Sequence, residues 1–263
     1  MSSDGFERRA FDGAAALVST ALERDGVFAA FFERGGGASS APYDSLNGSF
    51  TGGDATSAVR ANRARVARAA SLDRFCVPGL VHGTTIARVD RRLAADGFDG
   101  PGGALADADG TTTTRMGVGL GAFSADCVIA VLWHPGEGRL ALVHAGWRGL
   151  AEGVLERGVD VFGDRGEVRA AIGPAIGPCH YEVGEDVALA VAAGSAGGAV
   201  SERRGGRRFL DLVGTARAEL VAAGVRRVDD TGLCTACETA RFYSYRRDGV
   251  TGRHLALAVK LRG

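Results

Sequence analysis

Two single residues, a cysteine and a histidine, bracket one apolar hairpin in this chain. Cys127 precedes the apolar run 128–133, and His144 follows the run 140–143. Between the runs, His134-Pro135-Gly136-Glu137-Gly138 is a strong turn signal. With Pro135-Gly136 as a two-residue loop, Cys127 stands opposite His144 in an antiparallel pair, Cα atoms about 4.5–5.5 Å apart. A four-residue loop over 135–138 shifts the register by two and keeps both side chains on one face. A thiol and an imidazole held this way serve either as two metal ligands or as a nucleophile and its base.

His82 is a third donor, in a segment whose apolar–polar alternation over 80–89 predicts a strand. Two imidazoles and a thiolate suit zinc, and a fourth position left to water makes such a site reactive. A lone strand histidine is more often a hydrogen-bonded structural residue than a metal ligand. Asp126, beside Cys127, either binds backbone or arginine or orients a metal ligand. The turn His144-Ala145-Gly146-Trp147-Arg148-Gly149 leads into a helix, where free N–H groups and the Arg148 guanidinium suit a phosphate or carboxylate. The bland alternative is a tight turn with Arg148 in a surface ion pair and Trp147 as a wall. Cys234-Thr235-Ala236-Cys237 is a lone CxxC. It reads as buried reduced thiols, because structural zinc needs two further ligands and a redox pair needs a thioredoxin-like context. His180 and His254 have no companions in sequence, and Asn62 reads as solvated.

The elements that must position these residues follow from patterning. Residues 1–26 form a peripheral N-terminal segment, a polar tail continuing into a short helix or strand, and Val27 opens a strand that ends before Arg34-Gly35-Gly36-Gly37. Asp54 is an N-cap candidate for a helix over 55–70. Residues 91–115 read as a long surface loop, 118–123 as a strand, 150–161 as a helix and 168–172 as a strand. A helix from about 184, a Gly/Arg-rich loop over 194–206, a helix over 209–223 and strands near 226–228 and 254–261 complete one mixed α/β domain. Hydrophobic residues make up 46% and charged residues 24% of 263, an ordinary globular balance. The 31 basic and 31 acidic residues cancel, which gives nucleic acid or an anionic membrane nothing to select. No apolar stretch has signal-peptide or membrane-span length, so a cytoplasmic location is expected, with the five cysteines reduced.

Several segments resemble the YfiH family, which has been called polyphenol oxidase (laccase), peptidoglycan editing factor and zinc-dependent purine nucleoside phosphorylase. They are Ser124-Ala125-Asp126-Cys127, His144-Ala145-Gly146-Trp147-Arg148-Gly149, Ile172-Gly173-Pro174-Ala175-Ile176-Gly177-Pro178-Cys179 with Tyr181-Glu182-Val183, and Phe242-Tyr243-Ser244-Tyr245-Arg246-Arg247 with Thr251-Gly252-Arg253. Ser45-Leu46-Asn47, Gly53-Asp54, Asn62-Arg63 and Val81-His82-Gly83 add weaker matches. The resemblance implies an α+β single domain, a layered α/β/β/α sandwich with mixed sheets similar to a toxin deamidase fold. It places the family's metal ligands on His82, Cys127 and His144, with one zinc per chain. It also implies phosphorolysis of adenosine, inosine, guanosine or methylthioadenosine, and deamination of adenosine. Leu80 stands where the family usually has Gln, and Ile129 where it often has Pro, so base specificity is open.

On that reading, purine nucleosides and phosphate are the partners, and a monomer is expected. Metal-activated water serves deamination at C6 of adenine. Arg63, Arg148 and Arg246 are candidates to hold phosphate, and Asn47 and Tyr245 to contact sugar or base. The alternative is a cysteine hydrolase acting on cell-wall precursors, with Cys127 as nucleophile and His144 as base. Copper oxidase chemistry fits less well, since the chain has five histidines. A zinc-stabilised binding module would require a fourth protein ligand that the sequence does not offer.

Overall fold

The computed structural model describes residues 5–261. β1 (Phe6–Phe11) and β2 (Ala14–Ser19) form a hairpin, α1 (Thr20–Arg24) turns the chain, and β3 (Val27–Phe32) lies beside β2. α2 (Thr56–Ala69) is followed by β4 (Ile86–Arg88), β5 (Gly110–Thr113), β6 (Leu120–Ser124), β7 (Val128–His134) and β8 (Arg139–Ala145). Next come α3 (Trp147–Ala151), α4 (Val154–Val159), β9 (Arg169–Ile172), β10 (Glu182–Val183), α5 (Glu185–Gly194), β11 (Ser201–Arg204) and β12 (Arg207–Leu210). α6 (Leu212–Ala222), β13 (Arg227–Asp230), α7 (Tyr245–Asp248) and β14 (His254–Lys260) end the chain.

Two large sheets stack face to face. One has the order β1-β2-β3-β14-β6, the other β13-β9-β7-β8-β5-β4, and β10-β12-β11 form a small third sheet. Side-chain alternation along β7 shows how the layers arise. Val128, Ala130 and Leu132 face the helices, packing with Leu150, Leu155 and Leu220 of α3, α4 and α6. Ile129, Val131 and Trp133 face the other sheet, meeting Phe31, Leu120 and Ala256. On that sheet's far side, Phe28, Phe32 and Leu257 receive Val66 and Ala67 of α2. The order is therefore α/β/β/α, the α+β sandwich expected. Each fully buried Val, Leu or Phe contributes roughly 1.5–3 kcal/mol, against about 0–1 for a surface ion pair, so apolar stacking sets the architecture.

Four expectations are corrected. The N-terminal segment is not peripheral: Ala14, Ala16 and Val18 join the core under α2, and Leu22 fills the space between the sheets. Residues 80–85 are not a strand, because the N–H groups of Val81, His82 and Gly83 go to the Asp109 carboxylate instead of a neighbouring strand. The supposed surface loop 91–115 contains buried β5, whose Thr112 and Thr113 hydroxyls donate to the Leu140 and Val89 carbonyls. The helix near 150–161 is two pieces, broken where Gly153 adopts φ +74°, a conformation that favours glycine. In addition, the Gly/Arg-rich stretch holds the β11–β12 hairpin, and α2 is capped by Ala55 without a side-chain bond. Asp54 accepts instead from Asn47 and from the Ala55 N–H.

Candidate active site

The hairpin register pairs Ile129 with His144 and His134 with Arg139, so the loop is the four-residue one over 135–138. Cys127 is thus diagonal to His144, on the same face, and both look into the layer between the sheets. Cys127 enters β7 from Asp126, which holds φ +99° while its carboxylate accepts from the Thr235 hydroxyl and the Arg246 N–H. Asp126 is thereby a structural anchor rather than a ligand-orienting group.

His82 reaches the pair from its loop, at φ +62°, a left-handed backbone paid for by the three N–H bonds to Asp109. Its Nε2 lies 3.9 Å from Cys127 Sγ, and its ring centroid 5.1 Å from that of His144. One donor atom from each of His82, Cys127 and His144 falls within 4.8 Å of the others. Gly146 lines this cradle: a Cβ there would stand 2.8 Å from His82 Cδ2 and 3.0 Å from Cys127 Sγ. That space and the soft-plus-imidazole donor set fit a tetrahedral metal with one open position.

Asp109 is the residue that sequence reasoning missed. Fully enclosed, it lies 2.9 Å from His144 Nδ1 and also receives the three N–H groups of the His82 loop. One carboxylate therefore orients both imidazole-bearing segments. A proton on Nδ1, donated to Asp109, leaves Nε2 free for Cys127 or a metal. Burial pushes the Asp109 carboxyl up, but His144 and these N–H groups outweigh it and hold it below its ordinary value. Burial likewise pushes the Cys127 thiol up, yet His144 and His82 pull it down to about 6. Burial lowers His144, while Asp109 and Cys127 raise it to about 9. The three groups favour a thiolate beside an imidazolium.

These residues floor a cleft of about 400 Å³ walled by Leu80, Phe123, Tyr245 and Arg253, within the size range of small-molecule sites. Tyr245 is 59% exposed and faces the cleft, with the Arg253 guanidinium 5.4 Å from its ring centroid. Arg253 is the second missed residue: two of its donor contacts go to the Thr251 and Gly252 carbonyls, and its half-buried charge stands in the cleft wall. Its signal was its place after Thr251-Gly252 at the start of β14. Arg148 and Arg246 are exposed, stacked on Trp147 and Tyr181 at 4.3 Å and 4.7 Å. Neither lines the cleft directly: Arg246 follows Tyr245 and donates to the Glu182 carbonyl, and Arg148 lies two residues beyond Gly146.

Asn47 and Arg63 are corrected. Asn47 is buried, its amide engaged by Ser49, Asp54 and the Arg253 N–H. Arg63 is 2% exposed and donates to the carbonyls of Gly48, Gly97 and Phe98. Asn62, read as solvated, is buried beside it, bonded to Ser39, Ser45, Asn47 and Ala38. All three lie on or under the buried face of α2 and brace loops.

A two-sheet α+β fold with a Cys/His₂ cluster and its carboxylate at the end of the intersheet layer defines the class. The chain belongs to the YfiH family: the family described as multi-copper polyphenol oxidoreductase laccase matches residues 28–260. Purine nucleoside phosphorylase PA4543 of Pseudomonas aeruginosa is 40% identical over 231 residues, covering 85% of this chain and 89% of the relative. Purine nucleoside phosphorylase YlmD of Geobacillus stearothermophilus is 37% identical over 245 residues, 88% of this chain and 89% of that one. The crystal structure of the latter's namesake, YlmD from Geobacillus stearothermophilus, superposes with a TM-score of 0.87 at 33% identity, covering 98% of this chain and 99% of that chain. Bacillus licheniformis hypothetical protein YfiH gives 0.89 at 30%, covering 98% and 100%. No described helix is long and apolar enough to cross a membrane.

Proposed function

We propose that the chain is a zinc-dependent purine nucleoside phosphorylase that also deaminates adenosine, with His82, Cys127 and His144 holding the metal. The observation that carries this reading is the convergence of three donors on the floor of a cleft, with no fourth protein ligand in their group among the described residues. The names of the relatives support the substrate class. Thiolate plus imidazole favours zinc over harder cations, and two histidines in the donor group are few for multicopper chemistry. When bound, the ion supplies Lewis-acid polarisation and an activated water for deamination.

The chain's own residues do the rest. Asp109 fixes the His144 tautomer and the His82 loop together. Tyr245 offers a ring face on which a purine can stack, and Arg253 in the cleft, with the exposed Arg148 and Arg246 close in sequence to Gly146 and Tyr245, offers guanidinium groups to phosphate. In phosphorolysis a phosphate oxygen bonds to C1′ as the C1′–N9 bond breaks, releasing the base, which takes up a proton, and ribose 1-phosphate. Holding the phosphate on planar cations beside the sugar lowers the barrier through charge and orientation.

A second reading is favoured by one observation: Cys127, His144 and Asp109 have the thiolate–imidazolium–carboxylate order of a cysteine hydrolase. Metal content and adenosine turnover with phosphate, before and after chelation, separate the two. Loss of about one zinc per chain in Cys127→Ser, with turnover abolished by chelation, is the expected result. Activity that survives chelation but is lost on alkylation of Cys127 would overturn the metal reading.

A further inference from the structure

A second group of soft donors lies outside the cleft. Cys179 and His180 come from the loop after β9, Cys234 and Cys237 from the loop after β13. The two strands are parallel neighbours, and their pairing continues past the strand ends in a bridge between Ala175 and Cys234. Thr235 N–H donates to the Ala175 carbonyl at 3.0 Å, and Gly177 N–H points at Cys234 Sγ at 3.2 Å. The fold thereby brings a lone CxxC, which sequence alone left without partners, against a Cys-His pair more than fifty residues away.

The four donor atoms lie within 4.8 Å of one another. Tetrahedral zinc, with Zn–S about 2.3 Å and Zn–N about 2.0–2.1 Å, requires roughly 3.8 Å between sulfurs and roughly 3.5 Å between sulfur and nitrogen. Cys179 and Cys237 sulfurs are 3.5 Å apart, and His180 Nδ1 is 3.3, 3.4 and 3.9 Å from Cys179, Cys237 and Cys234. Those are four of the six edges of a coordination tetrahedron, and the two from Cys234 Sγ to the other sulfurs fall within the same 4.8 Å. Three thiols this close on an exposed surface are otherwise an oxidation liability.

We propose that Cys179, His180, Cys234 and Cys237 form a second, structural zinc site of the Cys₃His type. With four protein donors it has no open position, so it staples loops rather than performing chemistry. What it staples matters to the cleft. Thr235, inside the CxxC, donates to Asp126 at 2.6 Å, and Ile176 N–H donates to the Asp126 carbonyl at 2.9 Å. The clamp thus holds both loops against the residue that turns the chain into Cys127.

Elemental analysis of the full chain, purified under reducing conditions with zinc, should give about two zinc ions per chain. Cys237→Ser and Cys127→Ser should each remove about one, and the double variant both, which makes this site's failure distinguishable from failure of the cleft site. A measurement on the wild type covers the case in which Cys237→Ser does not fold. Mass-spectrometric alkylation should find Cys179, Cys234 and Cys237 protected in zinc and reactive after chelation. Equal labelling of these three with and without zinc, or a zinc count unchanged in a folded Cys237→Ser, would overturn the proposal.

Discussion

At the scale of single residues, Asp109 has the greatest leverage for its size. It ties His144 and the His82 loop to one point, so its loss loosens two ligands at once. Asp109→Asn should weaken zinc binding at the cleft about 10–100-fold, measured by chelator competition, while the charge-preserving Asp109→Glu should recover little because the carboxylate is enclosed. The arginines divide by burial. Arg63→Met strands three carbonyls at roughly 1–3 kcal/mol each, and a stability loss of about 3–5 kcal/mol in urea unfolding is expected. Arg148→Ala should change stability by less than about 0.5 kcal/mol and raise the phosphate KM roughly tenfold. An unchanged KM would remove Arg148 from the anion site. Legibility follows the same line. Cys127 and His144 could be read because a hairpin makes their relation local. Asp109 could not, since its partners lie 26 to 35 positions away and a single aspartate in a Gly/Asp/Thr stretch has no pattern. Arg63 misled because a guanidinium in sequence does not show whether carbonyls already surround it.

At the scale of elements, the site depends on how β8 leaves its sheet. Ala145 still pairs with Val128, and Gly146 then starts α3 with no side chain between His82 and Cys127. Gly146→Ala places a methyl 2.8 Å from His82 Cδ2. The His82 ring must move, so zinc affinity should fall by an order of magnitude or more while circular dichroism stays native. Unchanged affinity would mean the His82 loop gives way freely. Elements with strong periodic patterns were readable from the chain: β3, β7, β8, β9, α2 and α6 fall where spacing put them. β5 was missed because Gly110-Thr111-Thr112-Thr113 carries no apolar alternation, and its burial is made possible by hydroxyls that bond backbone carbonyls. β2 was left open between helix and strand because its inward residues are mainly alanines, small enough to pass beneath α2 but weak as a hydrophobic signal.

At the scale of the whole molecule, two buried titratable groups outside the cleft oppose each other. Glu219 on α6 accepts from the Leu155 and Glu156 N–H groups and the Ser195 hydroxyl. Burial outweighs these bonds and raises its carboxyl to about 7. The folded chain therefore keeps a proton that the unfolded chain releases near 4.3, and stability falls as pH rises between those values. His254 on β14 is buried with neither ring nitrogen hydrogen-bonded, stacked on Tyr243, and burial beside Arg253 lowers it to about 3. Here the unfolded chain takes up a proton below about 6.5 that the folded chain refuses, so stability rises with pH across that interval. Each slope is about 1.4 kcal/mol per pH unit, and from roughly pH 4.5 to 6.5 they cancel. Single variants should expose them. Glu219→Gln keeps an acceptor for both amides and removes the falling slope, so its stability should climb across that window relative to wild type. His254→Leu removes the rising slope, and its stability should decline relative to wild type over the same range. Urea midpoints at three pH values in the window, taken as differences from wild type, cancel titrations common to all three proteins. Parallel profiles would show that neither group differs between folded and unfolded states. Opposite slopes would locate acid tolerance in a balance struck across both sheets, between a helix on one outer layer and a strand of the other sheet.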